Sequence, residues 1–170
     1  MDTYDCIKTR IETREFSNSP VPDDVKRRVL EAARQSQSSM NTQHWRFVLV
    51  EDPKNLETLA RDSKTGPWVR SSNFAVLVLI DPALSVHLLD AGRAVQHMQL
   101  AAWNSGVASG VYTGFEREAV NRDFGIPKEL TLLIVVAFGY PARKTKGVKS
   151  RKPLREIAFS ERFGNEIRFR

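Results

Sequence analysis

The sequence predicts a single domain with one β-sheet covered on both faces, of the α/β or α+β class. Four apolar runs of strand length alternate along the chain with segments whose apolar residues recur at helical spacing. Two runs, AVLVLI (75–80) and LLIVVAF (132–138), are continuously apolar, which is typical of strands buried on both faces. With 170 residues, 41% hydrophobic and 27% charged, residues 1–170 suit one globular domain with a substantial core.

The first half of the chain is predicted to contain three helices and one strand. A helix is expected near residues 2–10, and a second follows the loop SPVPDD, whose acids would lie in the first helical turn. The second helix is expected to fade near Ser36 into the polar stretch QSQSSMNTQ. The strand RFVLV (46–50) comes next, and Pro53 is typical of the first turn of a short third helix.

The second half is predicted to contain three strands and two helices. After the run at 75–80, small apolar residues form one stripe of a long helix at about residues 89–104, and Gly106 supplies its end. A strand or a strand-like turn is expected at 107–112. A further helix starts near Glu116 and ends at Gly125, before the last strand.

Several classes of protein are excluded by what the sequence lacks. No window reaches the roughly 18 consecutive apolar residues of a membrane helix, and the first ten residues lack the apolar core of a signal peptide. We therefore expect a cytoplasmic protein that does not enter a membrane. Cys6 is the one cysteine, which excludes internal disulfides and cysteine clusters, and the three histidines are too scattered to predict a metal site. Neither G-x-G-x-x-G nor a P-loop occurs, so no Rossmann-type nucleotide site is expected.

The charge is concentrated in one segment near the C-terminus. The formal net charge is +6, and the basic segment, residues 143–155, holds seven cations and no acid, so it accounts for the whole imbalance. Such a run is typically a solvated loop or a phosphate clamp. Nucleic-acid binding is the less favoured interpretation, because no aromatic residues are interleaved with the cations.

Three polar clusters accompany the hydrophobic framework. The N-terminal segment, residues 10–16 (RIETREF), has two arginines four residues apart, which would face one direction if the first helix persisted. The polar loop, residues 38–43 (SSMNTQ), is dense in hydroxyl and amide groups just before a buried strand. The third cluster, KSRKP (149–153), lies in the basic segment.

Together and in this order, these clusters resemble the flavin-dependent nitroreductase family. The resemblance covers residues 7–164 and includes TGF (113–115) and FGYP (138–141). Its main matching positions are Arg10, Arg14 and Phe16, then Ser38, Asn41, Gln43, Trp45, Arg46 and Phe47, and finally Lys149, Ser150, Arg151 and Pro153. Three positions depart from the family pattern, since Glu12 replaces a small hydroxyl residue and Gln37 and His44 each replace a proline.

The resemblance implies an α+β fold with a mostly antiparallel central sheet flanked by helices. It also implies a homodimer with flavin mononucleotide (FMN) at the subunit interface, the polar loop of one chain completing the site of the other. The implied activity is hydride transfer from NAD(P)H through flavin N5 to an acceptor such as a nitroaromatic or a quinone. The alternatives are flavin-dependent reduction or dehydrogenation of a specific metabolite, and a polyanion-binding module that uses the basic segment.

The cofactor-binding residues follow from the same resemblance and agree with the chemistry of FMN. A phosphate monoester needs fixed cations, which Arg10, Lys149 and Arg151 would supply, and the amides and hydroxyls of the polar loop suit the polar edge of the flavin ring. Arg14 is the predicted catalytic residue, because a cation near N1 and the C2 carbonyl stabilises reduced flavin. The predicted set is Arg10, Ile11, Glu12, Arg14, Ser38, Ser39, Met40, Asn41, Gln43, Thr113, Gly114, Lys149 and Arg151.

Overall fold

A four-stranded antiparallel sheet forms the centre of the protein. The computed structural model describes residues 1–143 and 149–169. Within them the strands pair in the order β1-β2-β4-β3, and every pairing is antiparallel. The strands are β1 (Arg46–Val50), β2 (Phe74–Ile80), β3 (Ala108–Tyr112) and β4 (Thr131–Gly139). The four predicted strands are therefore confirmed, and the antiparallel order selects the α+β class over α/β.

Five α-helices and three short 3₁₀ helices surround this sheet in the described residues. The α-helices are α1 (Thr3–Thr9), α2 (Asp23–Arg34), α3 (Pro53–Arg61), α4 (Val86–Asn104) and α5 (Arg117–Asp123). The 3₁₀ helices are Ser39–Asn41, Pro67–Ser71 and Leu154–Glu156. None of the helices in these ranges has the length and apolarity needed to cross a membrane.

The continuous apolar runs are explained by two cores, one on each face of the sheet. Along β2, Leu77 and its alternate neighbours pack into the core with α3 and α5, while Val76 and its alternate neighbours pack into the core with α2 and α4. Every residue of β2 is buried. Phe74 and Phe138 stack at 4.8 Å between ring centres on the α2–α4 face. Burial of each such side chain contributes about 1.5–3 kcal/mol, so the central strands anchor both layers.

The helix ends follow the predicted capping signals. Asp52 accepts hydrogen bonds from the amides of Lys54 and Asn55, and Pro53 occupies the first turn of α3. Gly106 ends α4 with φ of +76°, and the amide of Val107 donates to the carbonyl of Ala102 at 3.0 Å. Glycine reaches this left-handed conformation without steric cost.

Helix α4 begins at Val86, three residues before the predicted start. The added turn carries the buried His87, but it leaves Leu88 and Leu89 exposed. Since two exposed leucines do not follow an amphipathic period, the apolar pattern alone could not locate this helix start.

Candidate functional site

The N-terminal segment is extended and lies along β3, so the first helix does not persist through it. Helix α1 ends at Thr9, and the amide of Thr13 donates to the carbonyl of Ser109 at 2.9 Å. A Cβ atom on Gly110 would lie 2.2 Å from the carbonyl oxygen of Thr13. Glycine is therefore required at this position of β3 for the segment to reach the sheet. Arg10 and Arg14 are positioned by the sheet edge rather than by a helix, which corrects the helical expectation.

Three predicted cations form a cluster where this segment leaves α1. The cationic cluster consists of Arg10, Lys149 and Arg151. Lys149 Nζ donates to the carbonyl of Ile7, which joins the basic segment to α1. Burial, and then the charges of Arg10 and Arg151, lower the pKa of Lys149. Because the like charges repel one another, an anion bound among them would be stabilised.

The side chain of Glu12, a predicted binding residue, makes two contacts that the sequence did not predict. Its Oε1 accepts a hydrogen bond from the amide of Val111 at 2.5 Å, and its Oε2 lies 3.2 Å from Arg10 Nη1. Ile11, between the two charged residues, is half-buried. The carboxylate therefore links the cationic cluster to β3.

Arg14 lies further along the segment, against an aromatic wall. Its guanidinium carbon is 5.7 Å from the centre of the Trp68 ring, and Trp68 in turn meets Tyr112 edge to face at 5.7 Å. The neighbouring acid, Glu15, faces Arg143 at 3.9 Å. A recess of about 390 Å³ runs along the segment and includes Arg14 in its lining. Arg14 is thus an exposed cation held over an aromatic ring, at a surface recess.

Residues 63–65, in the loop before Trp68, hydrogen-bond to the backbone carbonyl and amide of Gly114. The Gly114 carbonyl accepts from the Lys64 amide at 2.8 Å and from Ser63 Oγ at 3.0 Å, while its amide donates to Thr65 Oγ1 at 3.1 Å. Thr113 is exposed beside it. Sequence reasoning missed this 63–65 contact, although the turn-forming run SKTG was its available signal.

The polar loop adopts a strained backbone. Met40, Asn41 and Gln43 have φ of 51°, 54° and 47°, a left-handed conformation that is unusual outside glycine. The Gln43 amide donates to Ser38 Oγ at 3.0 Å, and Met40 is 80% exposed. Strain of this kind persists only where surrounding contacts impose it, and it is frequent at functional sites.

A buried carboxylate on α4 holds this loop in place. Asp90 is fully buried, and its Oδ2 accepts from the Ser39 amide at 2.8 Å. Arg93 donates to the other oxygen at 3.0 Å. Sequence reasoning missed Asp90, which contacts the predicted polar loop. Its signal was a single acid on the same helical stripe as the apolar residues Ala94 and Met98.

Two stacked histidines lie beneath the same loop. The rings of His44 and His87 are parallel within 8° and 3.7 Å apart, and His44 Nε2 is 3.8 Å from Asp90. His87 Nδ1 meets the carbonyl oxygen of Asp81 at 2.6 Å, a geometry in which the ring nitrogen donates. Burial, and then the charge of His87, lower the pKa of His44. His44, the departure noted in the sequence, is therefore part of the support for the loop.

The polar loop and the cationic cluster lie at opposite ends of α4 in one chain. The loop meets the helix at Asp90, whereas Trp103 Nε1 donates to Thr9 Oγ1 of α1 at 2.9 Å, next to the cluster. Thirteen residues separate the two helix positions, about 20 Å along the axis. In one chain the predicted binding residues therefore form two separate groups, the cationic cluster and the polar loop. Lys144 and Lys146 of the basic segment lie outside the described residues.

Comparison with known proteins identifies the family. The model of the nitroreductase family matches residues 7–77 and 81–140. The chain belongs to the nitroreductase family. The family and the α+β fold predicted from the three polar clusters are thereby confirmed.

Relatives of this nitroreductase-family chain carry different names. A Methanothermobacter thermautotrophicus protein named for NADH dehydrogenase and NAD(P)H nitroreductase is 30% identical over 150 residues, covering 84% of this chain and 78% of its own. A Thermotoga neapolitana protein named iodotyrosine deiodinase is 26% identical, covering 81% and 88%. The fold is also that of a Desulfovibrio desulfuricans nitroreductase-type structure in complex with FMN, with a TM-score of 0.85, 27% identity, and coverage of 96% and 98%.

Proposed function

We propose that this protein is an FMN-dependent oxidoreductase that uses NAD(P)H to reduce a small-molecule acceptor such as a nitroaromatic or a quinone. The observation that carries the proposal is the cationic cluster beside an extended segment on β3, in a chain of this family. Bound FMN would supply the hydride chemistry, taking a hydride from a nicotinamide and passing it to the acceptor. The protein supplies binding, orientation and charge.

The residues of the cluster fit the phosphate of FMN. Three cations and the carboxylate of Glu12 together carry about +2, which matches a phosphate monoester of nearly −2 charge. The pKa of Lys149 is lowered first by burial and then by Arg10 and Arg151, and a bound phosphate would relieve the repulsion among these charges. The fit therefore rests on the charges of the cluster itself, and Arg10, Lys149 and Arg151 are the proposed phosphate ligands.

Arg14 is the proposed catalytic residue. The recess it lines lies on the same extended segment as the cluster, four residues further along. An arginine held there by the Trp68 ring would supply a positive charge to the ring of a flavin whose phosphate is bound by the cluster. Such a charge stabilises the reduced flavin relative to the oxidised one.

The polar loop is proposed to act on the FMN of a second copy in a homodimer. Its hydroxyl and amide groups lie about 20 Å along α4 from the cluster of their own chain, too far to complete that site. Leu88 and Leu89, next to the loop support, are 53% and 58% exposed. A second chain packed on this face of α4 would cover them and bring each loop to the other chain's cluster.

A second candidate acceptor class is a specific metabolite. The Thermotoga neapolitana relative, named iodotyrosine deiodinase, is nearly as similar to this chain as relatives named for other activities. Because similar relatives are named for different activities, similarity alone does not select the acceptor. Direct assay with nitroaromatic, quinone and halogenated phenol substrates distinguishes these classes.

The first experiment is an absorbance spectrum of the purified protein, followed by identification of any flavin released by heat. The proposal expects a yellow protein, about one FMN per chain and bleaching by NADH or NADPH without oxygen. A colourless protein that takes up no flavin, but binds nucleic acid with a steep salt dependence, would instead favour the polyanion-binding alternative.

The shared site is tested by mixing two variants, one altered in the cationic cluster and the other in the polar loop. Arg10→Ala removes a phosphate ligand, and Asn41→Ala removes a group from the polar loop. If both sites are shared between chains, each variant alone binds FMN weakly. Refolding an equal mixture then restores wild-type affinity at about a quarter of the sites, because half of the dimers are mixed and each has one intact site. No recovery would contradict the shared site.

A further inference from the structure

Glu12 has both carboxylate oxygens committed to the framework of the cationic cluster. Oε1 accepts from the amide of Val111 at 2.5 Å, and Oε2 lies 3.2 Å from Arg10 Nη1. The Arg10 side chain is 18% exposed and that of Glu12 is 38% exposed, so their ion pair is partly shielded from solvent. This arrangement places a fixed negative charge at the rim of an anion-binding cluster.

The contact with Val111 makes the position of this charge rigid. The N-terminal segment makes a backbone bond to β3 at Ser109, through the amide of Thr13. Two residues further along β3, the backbone amide of Val111 also points away from β4, and it donates to the Glu12 side chain. Glu12 thus replaces a main-chain partner of the edge strand. Its carboxylate cannot leave without giving up a hydrogen bond to the sheet.

We propose that Glu12 is a specificity-determining residue, a built-in counter-anion that reduces how strongly the cluster prefers phosphorylated over unphosphorylated ligands. The inference rests on the proposed function in taking FMN as the phosphorylated ligand and riboflavin as its unphosphorylated counterpart. Because Glu12 neutralises part of the Arg10 charge and repels a phosphate, FMN gains less from its phosphate here than it would beside a neutral side chain.

The matched variant is Glu12→Gln. Glutamine keeps a carbonyl oxygen that can accept from Val111, but it removes the negative charge and frees the Arg10 guanidinium. Glu15→Gln is the control, because it removes an exposed acid of the same segment that faces Arg143 rather than the cluster. Urea unfolding of each variant confirms that the N-terminal segment remains packed.

The experiment measures dissociation constants of the apo-proteins for FMN and riboflavin by fluorescence quenching, at about 50 mM and about 500 mM salt. We expect Glu12→Gln to tighten FMN binding by about tenfold at low salt, with riboflavin unchanged within about twofold. The gain should shrink at high salt, because exposed charges are screened, and Glu15→Gln should show no such gain. An unchanged or lower ratio of FMN to riboflavin affinity would overturn the proposal.

Inorganic phosphate provides a readout that is independent of flavin. If Glu12 opposes bound phosphate, phosphate should raise the thermal midpoint of Glu12→Gln more than that of the wild type, with sodium chloride of equal ionic strength as the reference. Equal shifts would count against the proposal. If the wild type binds neither flavin, the proposed function fails, and the phosphate comparison alone then decides the role of Glu12.

Discussion

At the scale of single residues, the members of the cationic cluster differ in their surroundings. Arg10 is mostly buried and tied to Glu12, whereas Arg151 is exposed and donates to the carbonyl of Ser150 at 2.7 Å. Among the residues that the structure describes, Arg151 has no carboxylate partner to lose when a phosphate binds. Arg151 is therefore the position at which a phosphate contact is most cleanly measured.

Replacing Arg151 with alanine is expected to weaken FMN binding by about 1.5–3 kcal/mol, the range for a hydrogen bond to a charged group. Riboflavin affinity should hardly change, because riboflavin lacks the phosphate. Arg155→Ala is the matched control, since Arg155 is another exposed cation of the basic segment. Equal losses for both flavins would show that Arg151 acts through folding instead.

Arg14 is expected to set the redox potential of bound FMN. A purely structural role for Arg14 would be an ion pair with Glu12 or Glu15. Instead, Glu12 bonds to Arg10 and Glu15 faces Arg143. Arg14→Leu should disfavour the reduced flavin, and a difference of about 1.4 kcal/mol lowers a two-electron midpoint by about 30 mV. Spectroelectrochemical titration measures this shift, and Arg14→Lys should recover part of it. An unchanged midpoint with intact FMN binding would remove Arg14 from the catalytic role.

At the scale of elements, each of the two groups of predicted binding residues lies on or beside an irregular segment that is held against a strand or a helix. The N-terminal segment is held by β3, where Gly110 leaves room for its backbone. The polar loop is held by α4, where Asp90 binds the Ser39 amide. Each segment can therefore be displaced without altering a ligand-binding side chain.

Gly110→Ala is expected to destabilise the fold by about 1–3 kcal/mol, the cost of forcing atoms into a packed region. The new Cβ meets the carbonyl oxygen of Thr13, a backbone atom that cannot rotate away. Gly114→Ala should cost less, because its Cβ meets the Thr65 side chain, which can change rotamer. Urea unfolding compares the two variants, and an equal or smaller loss for Gly110→Ala would contradict this account.

The buried His44 is expected to make the fold less stable in acid. Its pKa is lowered below 6.5 in the folded protein by burial and by His87, so the unfolded chain binds the proton first. Stability should therefore be fully present above about pH 6.5 and should fall as the pH drops from there through the folded pKa. His44→Phe keeps an aromatic ring against His87 without titrating. As the pH is lowered, the urea midpoint of this variant should fall less steeply than that of the wild type. Parallel plots of midpoint against pH would exclude His44 as the source of the acid sensitivity.

At the scale of the whole molecule, the length of α4 decides how the site can be assembled. The helix joins the polar loop at one end to the neighbourhood of the cationic cluster at the other. One chain thus presents the two groups of predicted binding residues at different places on its surface. A twofold arrangement of two chains about α4 would complete both sites at once.

If the proposed homodimer forms through this face of α4, Leu88→Glu is expected to convert it to a monomer and to abolish tight FMN binding. Leu88 is 53% exposed on the α4 face proposed as the interface, where a buried carboxylate would be unpaired. Light scattering measures the mass, and far-UV circular dichroism confirms that the helices remain. A monomeric variant that still binds FMN tightly would contradict the shared-site arrangement.

The sequence by itself determined most of the helices and strands of this protein and its family. The signals were local, because burial and backbone conformation restrict which residue type can occupy a position. They are the apolar runs of β2 and β4, Pro53 at the start of α3 and Gly106 at the end of α4. The ordered polar clusters likewise indicated the family, now confirmed by the match over residues 7–77 and 81–140.

Only the tertiary structure decided which groups meet. It placed the N-terminal segment along β3 instead of continuing α1, joined Glu12 to Val111 and set Asp90 beneath the polar loop. These contacts join residues 99 and 51 positions apart in the chain, a separation at which no local pattern records the partner. The antiparallel strand order, and the placement of the cationic cluster and the polar loop at opposite ends of α4, follow from non-local packing of the same kind.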